Sequence, residues 1–158
     1  MRYASMACLV LSLALTGCSA ASNFSAAQDK ARNASVKANM RTLQLAAESY
    51  ATDNGGAYPK AIDDSFKSYM PGGGSDGKTP APDGLTNPFD SKKEWPTMGT
   101  ITALKAGSEK PVSITAGTIQ YSSLDGGKSY AIIGGAAGDQ ELTTDDGKPV
   151  VLSNNDLK

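Results

Sequence analysis

The hydrophobic residues between Val36 and Tyr50 recur with the period of an α-helix. Val36, Met40, Leu43, Ala47 and Tyr50 are spaced four, three, four and three residues apart, so that on a helix they form one stripe of about 80° of arc. An apolar stripe of this width indicates that this part of the helix lies on an apolar surface. We expect these five side chains to enter the core.

The ends of this helix are predicted by residues that cap or terminate helices. Ser25 and Gln28 have the spacing of a capping box, and the stretch from there to Asp53 contains no Gly or Pro. Asn54-Gly55-Gly56 then provides a stop signal. Leu45 points away from the apolar stripe, and we expect it to be exposed as an isolated surface Leu.

The C-terminal half changes from helical to strand-like patterning. Residues Thr118 to Ser122 alternate, Asp125-Gly126-Gly127 predicts a turn, and Tyr130 to Ile133 predicts the returning strand of a β-hairpin. Three further strands are predicted from short apolar runs: Ile101 to Leu104, Val112 to Thr115 and Pro149 to Leu152.

Between the long helix and the hairpin, residues 62–70 have the spacing of a short second helix. Asp63-Asp64 suits its start, because carboxylates are favourable near a helix N-terminus. The predicted fold class is therefore α+β: a long N-terminal stem helix packed on a small antiparallel β-sheet of three or four strands.

The first seventeen residues have the plan of a secretory signal. Arg2 precedes an apolar run from Ala7 to Leu15, and this run is shorter than the roughly 20 residues needed to span a bilayer. It ends in Leu15-Thr16-Gly17-Cys18, which resembles the lipobox of bacterial lipoproteins. The resemblance implies cleavage between Gly17 and Cys18 and a diacylglycerol on the Cys18 sulfur. The alternatives are an ordinary signal peptide that contains a Cys by chance and an uncleaved anchor.

We therefore divide the chain into a signal peptide at 1–17, a lipidated Cys with a polar tether at 18–24, and one domain at 25–158. Two or more acyl chains hold a protein stably at a membrane, whereas one is marginal. The expected location is the cell envelope, with the outer membrane or the cell surface favoured over the inner membrane.

Composition and charge argue against several classes of function. The chain has no His, and its two Cys, Cys8 and Cys18, both lie near the N-terminus. An imidazole base, a disulfide framework and a zinc site of Cys or His ligands are therefore absent. The net charge is −1, with no basic stripe of the kind that binds nucleic acid. We expect no nucleic-acid partner and no enzymatic activity.

Two segments carry a resemblance to a known family. Ala38 to Ala51, followed by Gly55-Gly56-Ala57-Tyr58-Pro59, is similar to the end of the stem helix in type IV pilin-like proteins, and most similar to the major pseudopilins of type II secretion. Leu85 to Phe89 and Gly117 to Gly135 resemble the segments that follow in such proteins. The resemblance implies a pilin-like fold for the globular part. Family members polymerise into filaments.

The N-terminus departs from that family. Pilin-like proteins have a prepilin leader and then an apolar helix that forms the filament core, whereas residues Ser19 to Ala34 are polar or small. A lipid takes the place of this helix, so we expect that the chain forms no filament by itself.

The resemblance also implies a metal site. Major pseudopilins bind calcium in a loop after the hairpin, and oxygen ligands suit this ion. The carboxylates at the similar place are Asp139, Glu141, Asp145 and Asp146, although their spacing does not match an EF-hand and acidic loop residues are usually only solvated. Calcium is the one cofactor that this pattern suggests, and none is required.

Two functions remain open from the sequence. The chain is expected to be a non-catalytic, lipid-anchored accessory component of a type II secretion or type IV pilus-like system. The alternative is a surface lipoprotein that acts as an adhesin or ligand-binding module on the same scaffold. Physical association with secretion or pilus apparatus proteins separates the two.

Overall fold

The computed structural model describes residues 17–74, 78–101 and 112–154, with side chains described from Phe24 onward. By its internal contacts the chain divides into two compact units, Met1–Ala31 and Arg32–Lys158. The second unit contains all of the sheet structure and the core that are described below.

The main helix, α1, spans Gly17–Asp53. It therefore begins before the predicted capping box at Ser25, because the Ala-rich segment preceding Ser25 contains nothing that interrupts a helix after Gly17. Its end is where the sequence predicts it: the amide of Gly56 donates to the carbonyl of Ala51 at 2.8 Å. Gly55 and Gly56 have φ values of 66° and 85°, a conformation that glycine adopts without steric cost.

The predicted apolar stripe of α1 is confirmed as part of the core. Val36, Met40, Leu43 and Ala47 are completely buried, and Tyr50 packs against the same cluster. Leu45, on the opposite face, is 64% exposed, as expected. The helical period thus identifies the correct face of α1.

A short helix, α2, spans Asp64–Lys67 and is preceded by Asp63. The Asp63 carboxylate accepts a hydrogen bond from the amide of Phe66 at 2.9 Å, so that Asp63 is the N-cap. The predicted start of this helix is confirmed, but the helix is shorter than the predicted span of 62–70. Its buried residue, Phe66, contacts Tyr50 edge-on, with ring centroids 5.9 Å apart.

The predicted hairpin is the centre of the sheet. Strand β4 spans Ile119–Leu124 and pairs antiparallel with β5, Ser129–Ala136. The turn between them includes Asp125, Gly126 and Gly127, which have φ values of 50°, 69° and 94°. A turn with consecutive positive φ values favours the Asp-Gly-Gly sequence found here.

Five shorter strands complete two sheets. They are β1 at Leu85–Thr86, β2 at Lys93–Glu94, β3 at Thr97–Met98, β6 at Gln140–Glu141 and β7 at Leu152–Ser153. β1 and β2 pair antiparallel in a separate two-stranded sheet. The larger sheet has the order β3-β4-β5-β6, with β7 also paired to β5.

The predicted fold class is wrong. The larger sheet has five strands and is mixed, because β3 pairs parallel to β4, with Thr97 opposite Gln120. The domain is one main helix with this mixed sheet and a second, two-stranded sheet, and is not a stem helix on a small antiparallel sheet. The prediction failed because two-residue strands are too short to show alternation, and their pairing is determined by the folded chain around them.

The three weaker strand predictions have different outcomes. Residue 101 is not in a strand, and residues 102–104 lie outside the described part of the chain. In the second run, Ser113 forms only an isolated bridge to Gln140. The last run contributes Leu152 to β7, although Pro149 lies before the strand.

The helix approaches β5 very closely at Gly134. A Cβ atom at this position would lie 2.6 Å from the Val36 side chain and 2.8 Å from the sulfur of Met40. Gly134 therefore allows the buried face of α1 to contact the backbone of the central strand. Asn33 supports the same contact, because its side-chain oxygen accepts a hydrogen bond from the amide of Ala137 at 3.1 Å.

Candidate functional site

One carboxylate joins α1 to the hairpin through tyrosine hydroxyls. Glu48 Oε1 accepts a hydrogen bond from the hydroxyl of Tyr130 at 2.6 Å, and Glu48 Oε2 accepts one from Tyr58 at 3.0 Å. The rings of Tyr58 and Tyr130 are in edge-to-face contact, with centroids 4.8 Å apart. Tyr121 stacks on Tyr130 at 5.7 Å. We call Glu48, Tyr58, Tyr121 and Tyr130 the Glu48 cluster.

The sequence places these four residues on three different elements. Glu48 lies in α1, five residues before its last residue, Asp53, and Tyr58 follows the glycine turn that ends the helix. Tyr121 and Tyr130 are completely buried on β4 and β5, and the Tyr121 hydroxyl donates to the carbonyl of Pro59 at 2.9 Å. The cluster therefore connects the helix, the turn after it and the hairpin.

The electrostatics of the Glu48 cluster keep its hydroxyls protonated. Burial raises the pKa of Tyr130, and the hydrogen bond to the Glu48 carboxylate raises it further. Burial is also the main reason that the pKa of Tyr121 is raised. The pKa of Tyr58 is raised by burial and then by its hydrogen bond to Glu48. All three hydroxyls remain donors at neutral pH, an arrangement that suits holding a structure together.

A second polar contact buries an amide next to this cluster. Gln44 is 1% exposed, and its Nε2 donates to the carbonyl of Ser153 in β7 at 2.9 Å. Its Oε1 accepts a hydrogen bond from the guanidinium of Arg41 at 2.6 Å. Both the donor and the acceptor of this buried side chain are thus satisfied.

Glu48 and Gln44 were not predicted from the sequence as structural residues. They border the apolar stripe of α1 at a spacing of four residues, so both lie where the buried face meets the exposed one. A polar pair on that border, in a chain with several Tyr, is a usable signal for hydrogen bonds into the core.

Two of the four carboxylates predicted to bind calcium are engaged by backbone amides. The Asp139 Oδ1 accepts from the amide of Ala116 at 2.8 Å, in a turn where Asp139 itself has a φ of 56°. Glu141 is buried, and its Oε2 accepts from the amide of Val112 at 3.1 Å. Both side chains fasten the segment before β4 to the segment that follows β5.

The other two, Asp145 and Asp146, are exposed in a turn closed by a hydrogen bond from the Thr144 amide to the Lys148 carbonyl at 2.8 Å. Among the residues that the structure describes, no three Asp, Glu, Cys or His side chains are grouped as metal ligands. Calcium binding at this loop stays a prediction that rests on the resemblance.

A shallow cleft lies where the two-stranded sheet meets the beginning of β4. Its interior has room for about one water molecule. On one side of it, the ammonium group of Lys67 lies 5.2 Å from the centre of the Trp95 ring. Its lining residues are Leu85, Glu94, Trp95, Pro96, Gly117, Thr118 and Ile119.

Gly17 and Cys18, the predicted cleavage and lipidation residues, are the first two residues of α1. The side chain of Cys18 and the leader at 1–16 lie outside the described part of the chain. In residues 17–74, 78–101 and 112–154, no helix has the length and apolar character required to cross a bilayer. Comparison of the chain with models of protein families, with curated proteins and with solved structures finds no match.

Proposed function

We propose that this protein is a lipid-anchored component of the bacterial cell envelope, attached to a membrane through a diacylglycerol on Cys18. Its globular unit serves as a non-catalytic module that contacts other envelope proteins. The single observation that carries the proposal is Leu15-Thr16-Gly17-Cys18 at the end of a short apolar run.

The residues described by the structure are compatible with a module that acts through its surface. Glu48 is held by two tyrosine hydroxyls, Asp63 caps a helix, and Asp139 and Glu141 each accept a backbone amide. Each of these carboxylates has a structural task.

The proposed partners are components of a type II secretion or type IV pilus-like system. The support is the resemblance of Ala38 to Ala51 and of Gly55 to Pro59, which is a resemblance of sequence and not of fold. In these segments Leu43, Ala47 and Pro59 are buried, and Tyr58 binds Glu48. Such residues act in packing, so the partner class depends on the sequence pattern alone.

The anchoring is tested by Cys18→Ala in cells that process lipoproteins. The variant should retain its leader and lose detergent partitioning, because the acylated sulfur is removed. Cys8→Ala is the matched control, since it alters a thiol of the leader and should leave processing unchanged. Intact-mass analysis that finds an unmodified Cys18 in membrane-derived wild-type protein would disprove the anchoring.

The role is tested by crosslinking intact membranes and recovering the protein with its neighbours. Secretion or pilus components should be enriched relative to a recovery from cells that carry Cys18→Ala. Recovery of a correctly anchored protein without any such component would contradict the accessory role, and would favour the ligand-binding lipoprotein.

A further inference from the structure

The outward face of α1 is cationic between Arg32 and Ala47, before the helix reaches Glu48. Arg32, Lys37 and Arg41 are the charged residues between positions 32 and 47, and this stretch contains no Asp or Glu. Lys37 and Arg41 are exposed and one helical turn apart. Leu45 is one further turn along the same face and is 64% exposed.

Some cations of the domain are compensated by nearby carboxylates. Lys67, Lys92 and Lys93 form ion pairs with nearby aspartates at 3.1, 3.0 and 2.6 Å. Within the described residues, neither Lys37 nor Arg41 is ion-paired to a carboxylate. Two like charges one turn apart are mildly destabilising in a helix, although Arg41 also donates a hydrogen bond to the buried Gln44 Oε1.

The charge is also unevenly distributed along the chain. Residues 48–158 contain 15 acidic and 10 basic residues, whereas residues 32–47 contain basic residues only. An acidic protein surface would be repelled by an anionic bilayer, and the face of Lys37 and Arg41 is the part of α1 that such a bilayer attracts.

We propose that the face of α1 formed by Lys37, Arg41 and Leu45 lies against the anionic phospholipid headgroups of the membrane that holds the lipid of Cys18. The inference rests on the proposed anchoring. Cations bind the phosphate groups, and the exposed Leu45 enters the boundary between headgroups and acyl chains, as an apolar residue of an interfacial helix does.

Anchoring makes such weak contacts effective. Eighteen residues of α1 separate Cys18 from Lys37, about 30 Å at the rise of a helix, so a lipid on Cys18 keeps Lys37 near the bilayer and the surface contact forms without a separate association step. The contact should weaken with salt, because exposed charges are screened over about 10 Å at 0.1 M.

The test uses the full lipidated protein in two kinds of vesicle, phosphatidylcholine alone and phosphatidylcholine with 30% phosphatidylglycerol. Lysine acetylation is followed residue by residue with mass spectrometry. We expect the labelling rate of Lys37 to fall at least about threefold in the anionic vesicles and to recover in 0.5 M salt. Lys128, exposed in the hairpin turn, is the internal control and should be labelled equally in both.

Leu45→Ala sharpens the test without altering the buried face, because Leu45 is 64% exposed. It should reduce the protection of Lys37 in anionic vesicles, while Lys148→Gln, at an exposed site near the C-terminus, should not. Equal labelling of Lys37 in both vesicles, whether high or low, would overturn the proposal. Equally low labelling would indicate that a second protein copy covers the face.

A failure of the anchoring can be distinguished from a failure of the headgroup contact. Intact mass reports whether Cys18 carries its lipid before the labelling begins. An unmodified Cys18 would overturn both proposals, whereas a lipidated chain with no difference at Lys37 would overturn only this one.

Discussion

The buried and exposed faces of α1 belong to the same helix but differ in burial and in charge. Val36, Met40 and Leu43 are completely buried against the sheet, whereas Lys37 and Leu45, at neighbouring positions, are exposed. Leu43 and Leu45 are the same amino acid and have the same helix propensity. The difference in their environment therefore comes from the angular position of each residue on the helix. The stability of the domain should therefore depend on one face, and its contacts with other molecules on the other.

The largest expected effect is the loss of Leu43. Leu43→Ala should lower the free energy of unfolding by about 2–5 kcal/mol, because it leaves a cavity in the core. Leu45→Ala, the matched control on the exposed face, should change it by less than about 0.5 kcal/mol. Both are measured by denaturant titration. Equal losses would show that the two faces are not distinguished as the structure has them.

The next effect concerns the contact between the buried face and β5. Gly134→Ala should cost about 1–3 kcal/mol, because the new Cβ would overlap the side chains of Val36 and Met40. The change from Gly to Ala at Gly138, where a Cβ has open space but φ is 81°, isolates the backbone cost. A smaller loss at Gly134 than at Gly138 would contradict the close packing of α1 on the strand.

A third effect tests the Glu48 cluster at the edge of the buried face. Tyr130→Phe should cost about 1–2 kcal/mol, because a hydrogen bond to a carboxylate is lost in a buried setting. Tyr69→Phe removes a hydroxyl that donates to Asp53 at an exposed site, and should cost less than about 0.5 kcal/mol. Thermal and denaturant unfolding measure both. Equal costs would mean that the Glu48 cluster contributes no more than a surface contact.

The smallest expected effect is a loss of stability that appears only at alkaline pH, where tyrosine hydroxyls lose their protons. Folding raises the pKa of Tyr58, Tyr121 and Tyr130, so the folded state holds their protons more tightly than the unfolded state. Their contribution to stability is complete below about pH 10, the pKa of an unperturbed Tyr, and declines as the pH rises above it. Denaturant midpoints between pH 8 and 11.5 should fall above pH 10 in the wild type, and fall less steeply in Tyr130→Phe.

The elements predicted from the sequence are those with a repeating pattern or a specific turn. The stripe from Val36 to Tyr50 has five residues separated by four spacings of three or four residues. Asp125-Gly126-Gly127 fits the positive φ values of its turn. Both signals are local, so the sequence alone is enough to recognise them.

The elements that were missed depend on contacts between distant segments. β3 pairs with β4 across an intervening segment of about twenty residues, and only its two residues Thr97 and Met98 take part. Glu48 becomes a site of contact only when Tyr130, 82 positions later, is placed beside it. A local pattern marks Glu48 as a polar residue on the border of the buried face, but no local pattern identifies Tyr130 as its partner or β4 as the partner of β3.

The last strands to pair with β5 are also the last to be synthesised, so the sheet is completed late. One edge of β5 is covered by its neighbour β4, while the other is shared by β6 and β7, which are the last strands in the sequence. A chain that is synthesised from its N-terminus delivers Leu152 and Ser153 late. Until then Ala131 and Ile132 keep an unpaired edge, and such an edge invites pairing with other chains. The interval before the last strand arrives is when this protein is most exposed to aggregation and to proteolysis.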